Sequence, residues 1–567
     1  MQGLSRRLTY PVKPSDLGLP PKFSAWRPSQ ESAILSAVCA DERFVMINAP
    51  TGIGKSAIGF GIGSVIGGRT AYLTSTKPLQ AQNINDFSSM GLVQVMGQNN
   101  YPCLYFQDGG AALPGRGYGS TPRNPYHKKL PGCEEGPCHA GIACDYRDNG
   151  CHYYDAVRSS LRRPYVTFNT AYWMSMARYA ETGSLGEFAC LVVDEAHDVA
   201  TALANFVKVS LDRGDIGKLL SISPPSSTSI DEWVEWADQE ALPLCSSKLE
   251  VAKTAASLHR NAISVVRRLR DLETRLKDLA KAKAWRRTDS PDPPAWAPGA
   301  STDWIIEEGK DAITFSPVWA SGYAEDYLFC NIPKVILISA TVTPQDAKYL
   351  GIPREQLTYL EFPSPFKHTI RPVYVIPGAS VSRNMSIGEE RVWVNRIDSI
   401  IEKEGEVKGI IHAVSYDRVR LILSRSRFKH LMVTHDRRSL RDTVDRFKLM
   451  KGAAVLVSPS VGTGYDFPLD QCRYQIIAKI PFIDNRSEVI RARAKTDKKY
   501  LDYVAMVALI QQAGRGVRSE QDFCRTYIID DNWSRWFYPR NKKLVPKWFK
   551  RALRRIRSME EVDGTNY

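Results

Sequence analysis

The segment from Asn48 to Ser56, Asn-Ala-Pro-Thr-Gly-Ile-Gly-Lys-Ser, has the composition of a phosphate-binding loop. Residues 44–47 before it are apolar, as in a buried strand, and a helix can begin directly after it. Such a turn exposes backbone N–H groups to an anion, and the helix N-terminus adds its dipole. Lys55 would reach the outer phosphates of a nucleotide, and Ser56 would ligate Mg²⁺. This pattern favours nucleotide binding over a glycine-rich loop packed under a helix, although Ala49 replaces the usual first glycine.

Two further sets of residues could complete a site that hydrolyses a nucleotide. Asp194 and Glu195 follow an apolar strand, where Asp194 would hold Mg²⁺ through water and Glu195 would polarise the attacking water. Gln511, Arg515 and Arg518 belong to the segment Gln-Gln-Ala-Gly-Arg-Gly-Val-Arg. Two arginines three residues apart on one helical face can both point at one anion. A surface salt-bridge pair is the alternative explanation of these arginines.

Five cysteines lie close together between the loop and Asp194. Glycine, proline and cysteine become frequent in residues 98–151, and the apolar periodicity is lost. The cysteines of this stretch are Cys103, Cys133, Cys138, Cys144 and Cys151. Four converging thiolates can bind Zn²⁺ or an iron–sulfur cluster, and the spacing does not decide between them. Either group would fold a segment that has too few apolar residues to fold alone.

The composition is that of a basic globular protein. The chain has 567 residues, too many for one hydrophobic core, of which 43% are hydrophobic and 24% charged. A net charge of +15 favours nucleic acid as a partner, because phosphates release counterions on binding, although charge also serves solubility. No apolar run reaches the ~18 residues of a membrane span, and the N-terminus lacks the apolar core of a signal peptide. We therefore predict a cytoplasmic protein without a membrane partner, in which eleven cysteines do not form a disulfide framework.

The elements around the loop are those that a nucleotide site needs. Gln30 lies upstream of the loop, shortly after Phe23 and Trp26. This arrangement suits an adenine site, in which the amide pairs with the base edge and a ring stacks on it. A helix cap explains Gln30 equally well. Residues 71–76 alternate like a strand, and residues 77–82 open a helix.

Residues 200–330 are predicted to form a largely helical insertion. Apolar residues recur there at alternating steps of three and four, at Ala255, Leu258, Ala262, Val265, Leu269, Leu272, Leu276 and Leu279. The spacing predicts a long amphipathic helix with a coiled-coil-like seam, and we favour a packed helical hairpin over a partner-binding zipper. The proline-rich residues 290–299 are typical of a loop that returns the chain.

A second α/β unit follows the insertion. Residues 335–341 form an apolar strand that ends in Ser-Ala-Thr, and Pro344 starts a helix. Three more buried strands are predicted at residues 409–415, 453–459 and 474–478. Their alternation with helices favours a second parallel sheet. In the tail, residues 533–557, aromatic residues interleave with Lys and Arg, which fits stacking on nucleic acid and an ordinary amphipathic helix about equally.

Together these motifs resemble the superfamily 2 DNA helicases of the XPD/DinG group, over nearly the whole chain from about residue 23 to residue 531. The matching segments are Ala49–Ser56 (motif I), Asp194–His197 (motif II), Ser339–Thr341 (motif III), Thr463–Asp466 (motif V) and Gln511–Arg518 (motif VI). The cysteine-rich stretch lies between motifs I and II, where this group carries a 4Fe-4S cluster held by four cysteines. The resemblance therefore implies a cluster in place of Zn²⁺, and ATP as the nucleotide.

The same resemblance implies a ligand set for the cluster. Asn-Tyr-Pro-Cys103 is similar to the surroundings of the first ligand, and Cys151-His-Tyr-Tyr to those of the last, with His152 where the group usually has proline. The implied ligands are Cys103, Cys138, Cys144 and Cys151. Cys133 would then be a spare thiol, and in the rival set it replaces Cys138 or Cys144.

The fold that the resemblance implies is α/β, with two RecA-like parallel-sheet motor domains. The first motor domain would carry a cysteine-rich iron–sulfur insertion and a helical arch insertion. The implied divisions are residues 1–97 (motor domain 1, with motif I), 98–160 (iron–sulfur insertion), 161–204 (motor domain 1, with motif II), 205–330 (arch), 331–350 (end of motor domain 1, with motif III) and 351–567 (motor domain 2 with the basic tail).

The implied activity is that of an ATP-dependent DNA helicase, which translocates 5′→3′ on single-stranded DNA and unwinds forked DNA in replication or repair. We expect a monomer, whose replication or repair partners the sequence does not identify. The implied catalytic residues are Lys55, Asp194, Glu195, Gln511, Arg515 and Arg518, with the two arginines acting as fingers from the second domain. ATP and Mg²⁺ would be bound by Gln30, Ala49, Pro50, Thr51, Gly52, Gly54, Lys55, Ser56, Asp194 and Asp466. The alternatives are a clamp that uses ATP only as a switch, and an RNA helicase or a translocase that strips proteins without unwinding.

Overall fold

Two seven-stranded sheets organise the chain, which a computed structural model describes over residues 12–106, 131–180, 184–258, 263–284, 304–461 and 465–562. The strands of the first sheet are β1 (Phe44–Asn48), β2 (Thr70–Thr74), β3 (Leu92–Val95), β4 (Tyr165–Asn169), β5 (Cys190–Asp194), β9 (Lys334–Ser339) and β10 (Leu357–Glu361). Their order in the sheet is β10-β1-β9-β5-β2-β4-β3, and all neighbouring strands are parallel. The strands of motifs I, III and II are therefore adjacent.

The second sheet is also entirely parallel, as the alternation of strands and helices predicts. Its strands are β11 (Val373–Ala379), β12 (Gly409–His412), β13 (Met432–Val433), β14 (Val455–Ser458), β15 (Tyr474–Ile477), β16 (Arg525–Asp530) and β17 (Leu553–Arg555), in the order β13-β14-β12-β15-β16-β11-β17. The predicted α/β fold with two RecA-like sheets is confirmed.

Helices cover both faces of these sheets. The helices associated with the first sheet are α1 (Gln30–Cys39), α2 (Lys55–Ile66), α3 (Lys77–Phe87), α4 (His152–Ser160), α5 (Thr170–Tyr179), α6 (Val199–Val207) and α11 (Pro344–Tyr349). Those of the second half are α12 (Ile387–Glu404), α13 (Tyr416–Arg425), α14 (Leu440–Leu449), α15 (Glu488–Thr496), α16 (Tyr500–Ala513), α17 (Tyr538–Asn541) and α18 (Lys547–Ala552). Strand β1 shows the two-faced burial: Phe44 and Met46 join one hydrophobic cluster, and Val45 and Ile47 join another. Continuous apolar strands are what a sheet buried on both faces requires.

In its described residues the insertion between β5 and β9 is largely helical, as predicted, and it also contains three strands that the sequence does not predict. Its helices are α7 (Arg213–Asp215), α8 (Ile230–Trp236), α9 (Leu242–Leu258) and α10 (Ile263–Ala284), and its strands are β6 (Val209–Asp212), β7 (Trp304–Glu308) and β8 (Ala312–Pro317). The strands form an antiparallel sheet in the order β6-β8-β7. Trp233 and Phe315 stack edge to face in its core, which joins the small sheet to the helices.

The helical hairpin predicted in this insertion is present, with α9 packed on α10. The predicted seam is wrong at its first part, because Ala255 is exposed and Val265 is 42% exposed, whereas Val266 is buried. Helix α9 ends at Leu258 and α10 begins at Ile263, so residues 255 and 265 lie on different helices. The side chains of Leu258 and Ala262 and the proline-rich loop at residues 290–299 lie outside the part described.

The cysteine-rich segment has little regular structure in its described residues. Its two described parts, residues 98–106 and 131–151, are joined by an antiparallel bridge between Pro102 and Gly132, with hydrogen bonds from Cys103 N to Pro131 O (3.0 Å) and from Cys133 N to Tyr101 O (2.9 Å). Its Ala140 belongs to the hydrophobic cluster of the insertion. The segment therefore rests on the hairpin as well as on the first sheet.

The basic, aromatic tail folds onto the second sheet. Trp533, Phe537, Trp548 and Phe549 are buried in one hydrophobic cluster, and β17 extends the sheet beside β11. These aromatic residues are therefore core residues, as the amphipathic-helix interpretation requires, and Trp536 is 37% exposed. In the described residues no helix combines the length and the hydropathy of a membrane span.

Candidate active site

The loop from Ala49 to Gly54 connects the carboxyl end of β1 to the first turn of α2. Gly52 and Gly54 have φ angles of 86° and 85°, which residues with a side chain rarely adopt. Lys55 is the first residue of α2, so its backbone N–H and that of Ser56 stay free for an anion. This is the strand, tight turn and helix start that the sequence predicts.

The carboxyl ends of three neighbouring strands bring the other predicted residues to this loop. Asn48 at the end of β1 is in register with Ser339 at the end of β9, and Asp194 ends β5 on the other side of β9. Asp194 is buried, and its Oδ1 accepts a hydrogen bond from Glu195 N (2.9 Å). Burial, with the negative charge of Glu195, raises the pKa of Asp194 to about 6. A divalent cation would offset the close approach of these two carboxylates.

Glu195 is held in a strained backbone conformation among cations. Its φ of 52° is unusual for a residue with a side chain, and such strain persists at functional sites. Glu195 Oε1 lies 3.5 Å from Lys55 Nζ, and Oε2 lies 3.4 Å from His197 Nδ1. Burial alone would raise the pKa of Glu195, but Lys55, His197 and Arg515 together lower it to about 2. Glu195 is therefore a carboxylate at neutral pH, able to accept a hydrogen bond from water.

A chain of hydroxyl and amide groups continues from Glu195 to the second sheet. Ser339 Oγ lies 3.4 Å from Glu195 Oε2, 2.7 Å from His197 Nδ1 and 3.5 Å from Thr341 Oγ1. Gln511 Nε2, from α16, donates to Thr341 Oγ1 (2.8 Å). The sequence motifs assign no individual role to His197, Ser339 or Thr341, although all three lie within motifs II and III. Their contacts connect the two sheets through the active site.

The two arginines converge on one anion, but from a loop instead of a helical face. Helix α16 ends at Ala513, so Arg515 and Arg518 lie in the turn after it, which corrects the predicted helical placement. Arg515 Nη1 lies 3.6 Å from Asp466 Oδ1, and Arg518 forms an ion pair with the same oxygen. Arg515 also interacts electrostatically with Glu195 of the first sheet. Thr463 lies outside the described residues.

Gln30 lies against the loop, but its amide contacts protein backbone. Its Nε2 donates to Ile53 O (2.7 Å), and its Oε1 accepts from Arg27 N (2.8 Å). Arg27 Nη1 donates to Gly52 O (2.7 Å), so this region fixes the outer side of the loop. The predicted pairing of Gln30 with a base edge stays a prediction.

The five clustered cysteines are close together, and Cys133 is not set apart from the rest. Cys103, Cys133 and Cys151 are buried in one cluster with Tyr153, and Cys133 Sγ lies 3.9 Å from Cys151 Sγ. A hydrogen bond from Cys133 lowers the pKa of the Cys103 thiol to about 7. Cys138 and Cys144 are half-buried, and burial raises the pKa of Cys138 to about 11. The structure therefore places the predicted spare thiol among the predicted ligands.

These thiols are chemically suited to bind a metal group, but in the described residues their sulfur atoms do not converge on one point. Within the described ranges, no three His, Cys, Asp or Glu side chains are grouped so that they could hold one metal ion. A cluster of several iron atoms is wider than a single ion, and sulfur donors are the ligands it requires. The donor set fits such a group, because four thiols are available with one to spare.

Comparisons with known proteins agree with this geometry. A family model described as "Helicase C-terminal domain" matches residues 406–552, which include residues 514–518, the arginine loop that carries Arg515 and Arg518. The ATP-dependent DNA helicase DinG of Photobacterium profundum is 24% identical over 339 residues, or 52% of this chain and 48% of that protein. The chain thus spans about half the length of the curated relative that it matches.

Solved structures show the same fold over nearly the full chain. An XPD helicase structure superposes with a TM-score of 0.57 at 14% sequence identity. The match covers 94% of this chain and 99% of the XPD chain. The structure of S. tokodaii Xpd4 gives a TM-score of 0.55 at 11% sequence identity. The match covers 94% of this chain and 100% of the Xpd4 chain. At these identities the likeness concerns the fold, and the residues of the site supply the chemistry.

Proposed function

We propose that this chain, an XPD/DinG-like superfamily 2 helicase by its fold and its C-terminal helicase domain, is an ATP-dependent DNA helicase. One observation carries the proposal: groups from both sheets meet at one nucleotide site. Gln511 binds Thr341, and Arg515 interacts with Glu195, across the boundary between the sheets. A site shared in this way couples hydrolysis to relative movement of the two halves.

The residues of the first sheet would bind the nucleotide and position the water. Backbone N–H groups of the loop and Lys55 would hold the phosphates of ATP. Ser56 and Asp194 would hold Mg²⁺, which neutralises negative charge on the phosphates when it is bound. Glu195, as an anion among cations, would accept a hydrogen bond from the attacking water and orient it.

The arginine loop of the second sheet would act on the charge that develops in the transition state. In the structure Arg515 and Arg518 are paired with Asp466, a partner that a triphosphate can replace as an anion. Arginine fingers contribute roughly 10³–10⁵ to rates of nucleotide hydrolysis. Asp466 would therefore hold the arginines near the site until the nucleotide arrives.

Movement on DNA is the finer part of the proposal. The net charge of +15 supports binding to a polyanion, and closure and opening of the two halves would step the chain along a single strand. The 5′→3′ direction and the unwinding of forked DNA follow from the resemblance to the XPD/DinG group. Single-stranded and forked DNA are the proposed substrates, and the protein would act as a monomer in replication or repair.

The cysteine segment would hold a 4Fe-4S cluster and form, with the arch, the part that meets the fork. We retain Cys103, Cys138, Cys144 and Cys151 as proposed ligands. In the rival set Cys133, which is buried in one cluster with Cys103 and Cys151, replaces Cys138 or Cys144. In the proposed division, motor domain 1 comprises residues 1–97, 161–204 and 331–350, the cluster insertion 98–160, the arch 205–330 and motor domain 2 residues 351–567.

The decisive experiment measures ATP hydrolysis and strand displacement on duplexes with 5′ and 3′ single-stranded tails. Wild type should hydrolyse ATP faster with single-stranded DNA and displace the strand on the 5′-tailed duplex. Lys55→Ala should lose both activities, and Glu195→Gln should lose hydrolysis while it still binds ATP.

Each alternative gives a different result in the same assay. A clamp that only binds ATP would show no turnover in the wild type. A protein-stripping translocase would hydrolyse ATP with DNA but displace no strand, and an RNA helicase would respond to RNA. Undiminished DNA-stimulated hydrolysis by Lys55→Ala would contradict the proposed site.

A further inference from the structure

An arginine without an anionic partner lies beside the candidate active site. Arg371 precedes β11, and its guanidinium stacks on the ring of Trp548 at 4.6 Å from the centroid. Its Nε has no hydrogen-bond partner, and no carboxylate in the described ranges forms an ion pair with Arg371. Burial lowers the pKa of Arg371 to about 10. A half-buried cation without a counter-charge is costly, so a site for an anion is the natural explanation.

Arg371 faces a small cavity between the phosphate-binding loop and the arginine loop. The cavity has a volume of about 20 Å³, and Thr51, Phe366, Arg371, Gly514 and Trp548 are among the residues that line it. Thr51 belongs to motif I, and Gly514 directly precedes the proposed finger Arg515. The side chain of Arg371 therefore lies at the junction of the two halves of the candidate nucleotide site.

The walls of this cavity are in close contact with the loop. A Cβ atom placed on Gly52 would lie 2.1 Å from the Phe366 ring, so only glycine fits under that ring. A Cβ placed on Gly514 would lie 3.6 Å from Thr51 Oγ1. Any movement of the two halves that follows nucleotide binding would therefore move Arg371 relative to the loop.

We infer that Arg371 contacts the phosphate chain of the bound nucleoside triphosphate, as a third guanidinium beside Arg515 and Arg518. The inference rests on the proposed nucleotide site and adds a contact from the segment that joins the two sheets. Stacking on Trp548 fixes the plane of the guanidinium and leaves its edge for charge-assisted hydrogen bonds to phosphate oxygens. The cavity of about 20 Å³ would not hold the nucleotide. The nucleotide would lie on the phosphate-binding loop, and Arg371 would contact its phosphates from the side of the cavity.

Equilibrium binding, which does not depend on turnover, tests this contact. The ligands are a non-hydrolysable ATP analogue, inorganic tripolyphosphate and adenosine, and the variants are Arg371→Gln and Arg371→Lys. Arg371→Gln should weaken binding of the analogue and of tripolyphosphate by about tenfold and leave adenosine unchanged, because only the charged contact is lost. Arg371→Lys should lie between wild type and Arg371→Gln, since it keeps the charge but not the planar fork.

Arg69→Gln is the control for the loss of a stacked guanidinium, and it also removes hydrogen bonds from Arg69 to Leu185 O (2.8 Å) and Ser160 O (3.0 Å). Arg69 also stacks on an aromatic ring, at 4.3 Å from the Phe188 centroid, but it lies at the amino end of β2, away from the loop. This variant should bind all three ligands as the wild type does. Thermal unfolding of each variant shows whether the substitution destabilises the fold. If Arg371→Gln is destabilised, the affinities of Arg371→Lys and wild type are compared instead.

Two results would overturn this inference without touching the proposed function. One is wild-type affinity of Arg371→Gln for tripolyphosphate, and the other is a loss of affinity confined to adenosine. Failure of the proposed function looks different, because wild type and Lys55→Ala would then bind the ATP analogue equally weakly.

Discussion

The candidate nucleotide site and the cysteine segment differ in the partners of their charged and reactive side chains. In the nucleotide site Lys55 faces Glu195, and Arg515 faces Asp466, so each of these cations already has an anion. In the cysteine segment, thiols are packed mainly against one another and against tyrosines. Burial and neighbouring thiols raise the pKa of Cys138 and Cys144, and no cation is among the larger causes.

This difference reflects how each region is folded. The nucleotide site stands at the carboxyl ends of β1, β9 and β5, which the sheet holds in place without a ligand. In its described residues the cysteine segment has an isolated bridge and short turns, and no strand of either large sheet. We therefore expect the first region to be preformed and the second to depend on the group that its thiols bind.

Removal of a finger should have the largest effect on the preformed site. Arg515→Ala should lower DNA-stimulated ATP hydrolysis by about 10³-fold with little change in ATP affinity, because the arginine acts mainly on the transition state. Steady-state kinetics on single-stranded DNA measures this. Arg420→Ala, at an exposed ion pair on α13, should leave the rate unchanged. A loss below fivefold, roughly 1 kcal/mol, would argue against the finger role.

Replacement of a buried thiol should have a large effect on the cysteine segment alone. Cys103→Ser should abolish bound iron and strand displacement, yet keep most of the DNA-stimulated hydrolysis, because the nucleotide site does not need the cluster. Iron analysis and visible absorbance report the cluster. The exposed Cys39→Ser is the control and should retain full iron.

Cys133→Ser decides between the two ligand sets. The set with Cys138 and Cys144 requires full iron in this variant, and the rival set requires its loss. Iron in every single Cys→Ser variant would contradict both sets.

The link between the two sheets should have an intermediate effect. Thr341→Val removes the hydroxyl that accepts from Gln511 and keeps the shape of the side chain, so we expect an about tenfold fall in DNA-stimulated hydrolysis. Thr341→Ser keeps the hydroxyl and should be close to wild type. Equal rates for the two variants would remove Thr341 from the coupling between the sheets.

Replacement of Asp346, a buried carboxyl between the two sheets, should have the smallest effect, and this effect is on thermal stability. Burial raises the pKa of Asp346 from 3.8 to about 7, and Asp346 accepts a hydrogen bond from Tyr503 of α16. The pKa of Asp346 is higher in the folded protein than in the unfolded chain. The carboxyl therefore contributes fully to the free energy of unfolding below about pH 4, and this contribution is lost as the pH rises through about 7. Asp346→Asn should therefore reduce the fall in Tm between about pH 5 and about pH 8. An unchanged pH dependence of Tm would contradict this origin.

Sequence alone predicted the parts of the fold that local patterns encode. The apolar strands, the glycine turn of motif I and the helix that begins at Pro344 were all placed from composition and spacing. The hairpin of the insertion is predicted too, but its predicted seam is wrong at Val265. Val265 and Val266 are both apolar, and only packing in the hydrophobic cluster of the insertion selects Val266. Similarly, Trp533 and Trp548 have an ambiguous pattern, and only the sheet they cover makes them core residues.

The sequence by itself determined the chemistry available to this protein: a phosphate loop, two carboxylates, two arginines and a group of cysteines. Each is a short pattern whose residues are neighbours along the chain. The tertiary structure decided which of them lie together, since Gln511 contacts Thr341, and Arg371 lines one cavity with Thr51, only after the two sheets have packed. Such contacts join residues far apart in the chain, and their geometry depends on strand order and side-chain packing that no local pattern records.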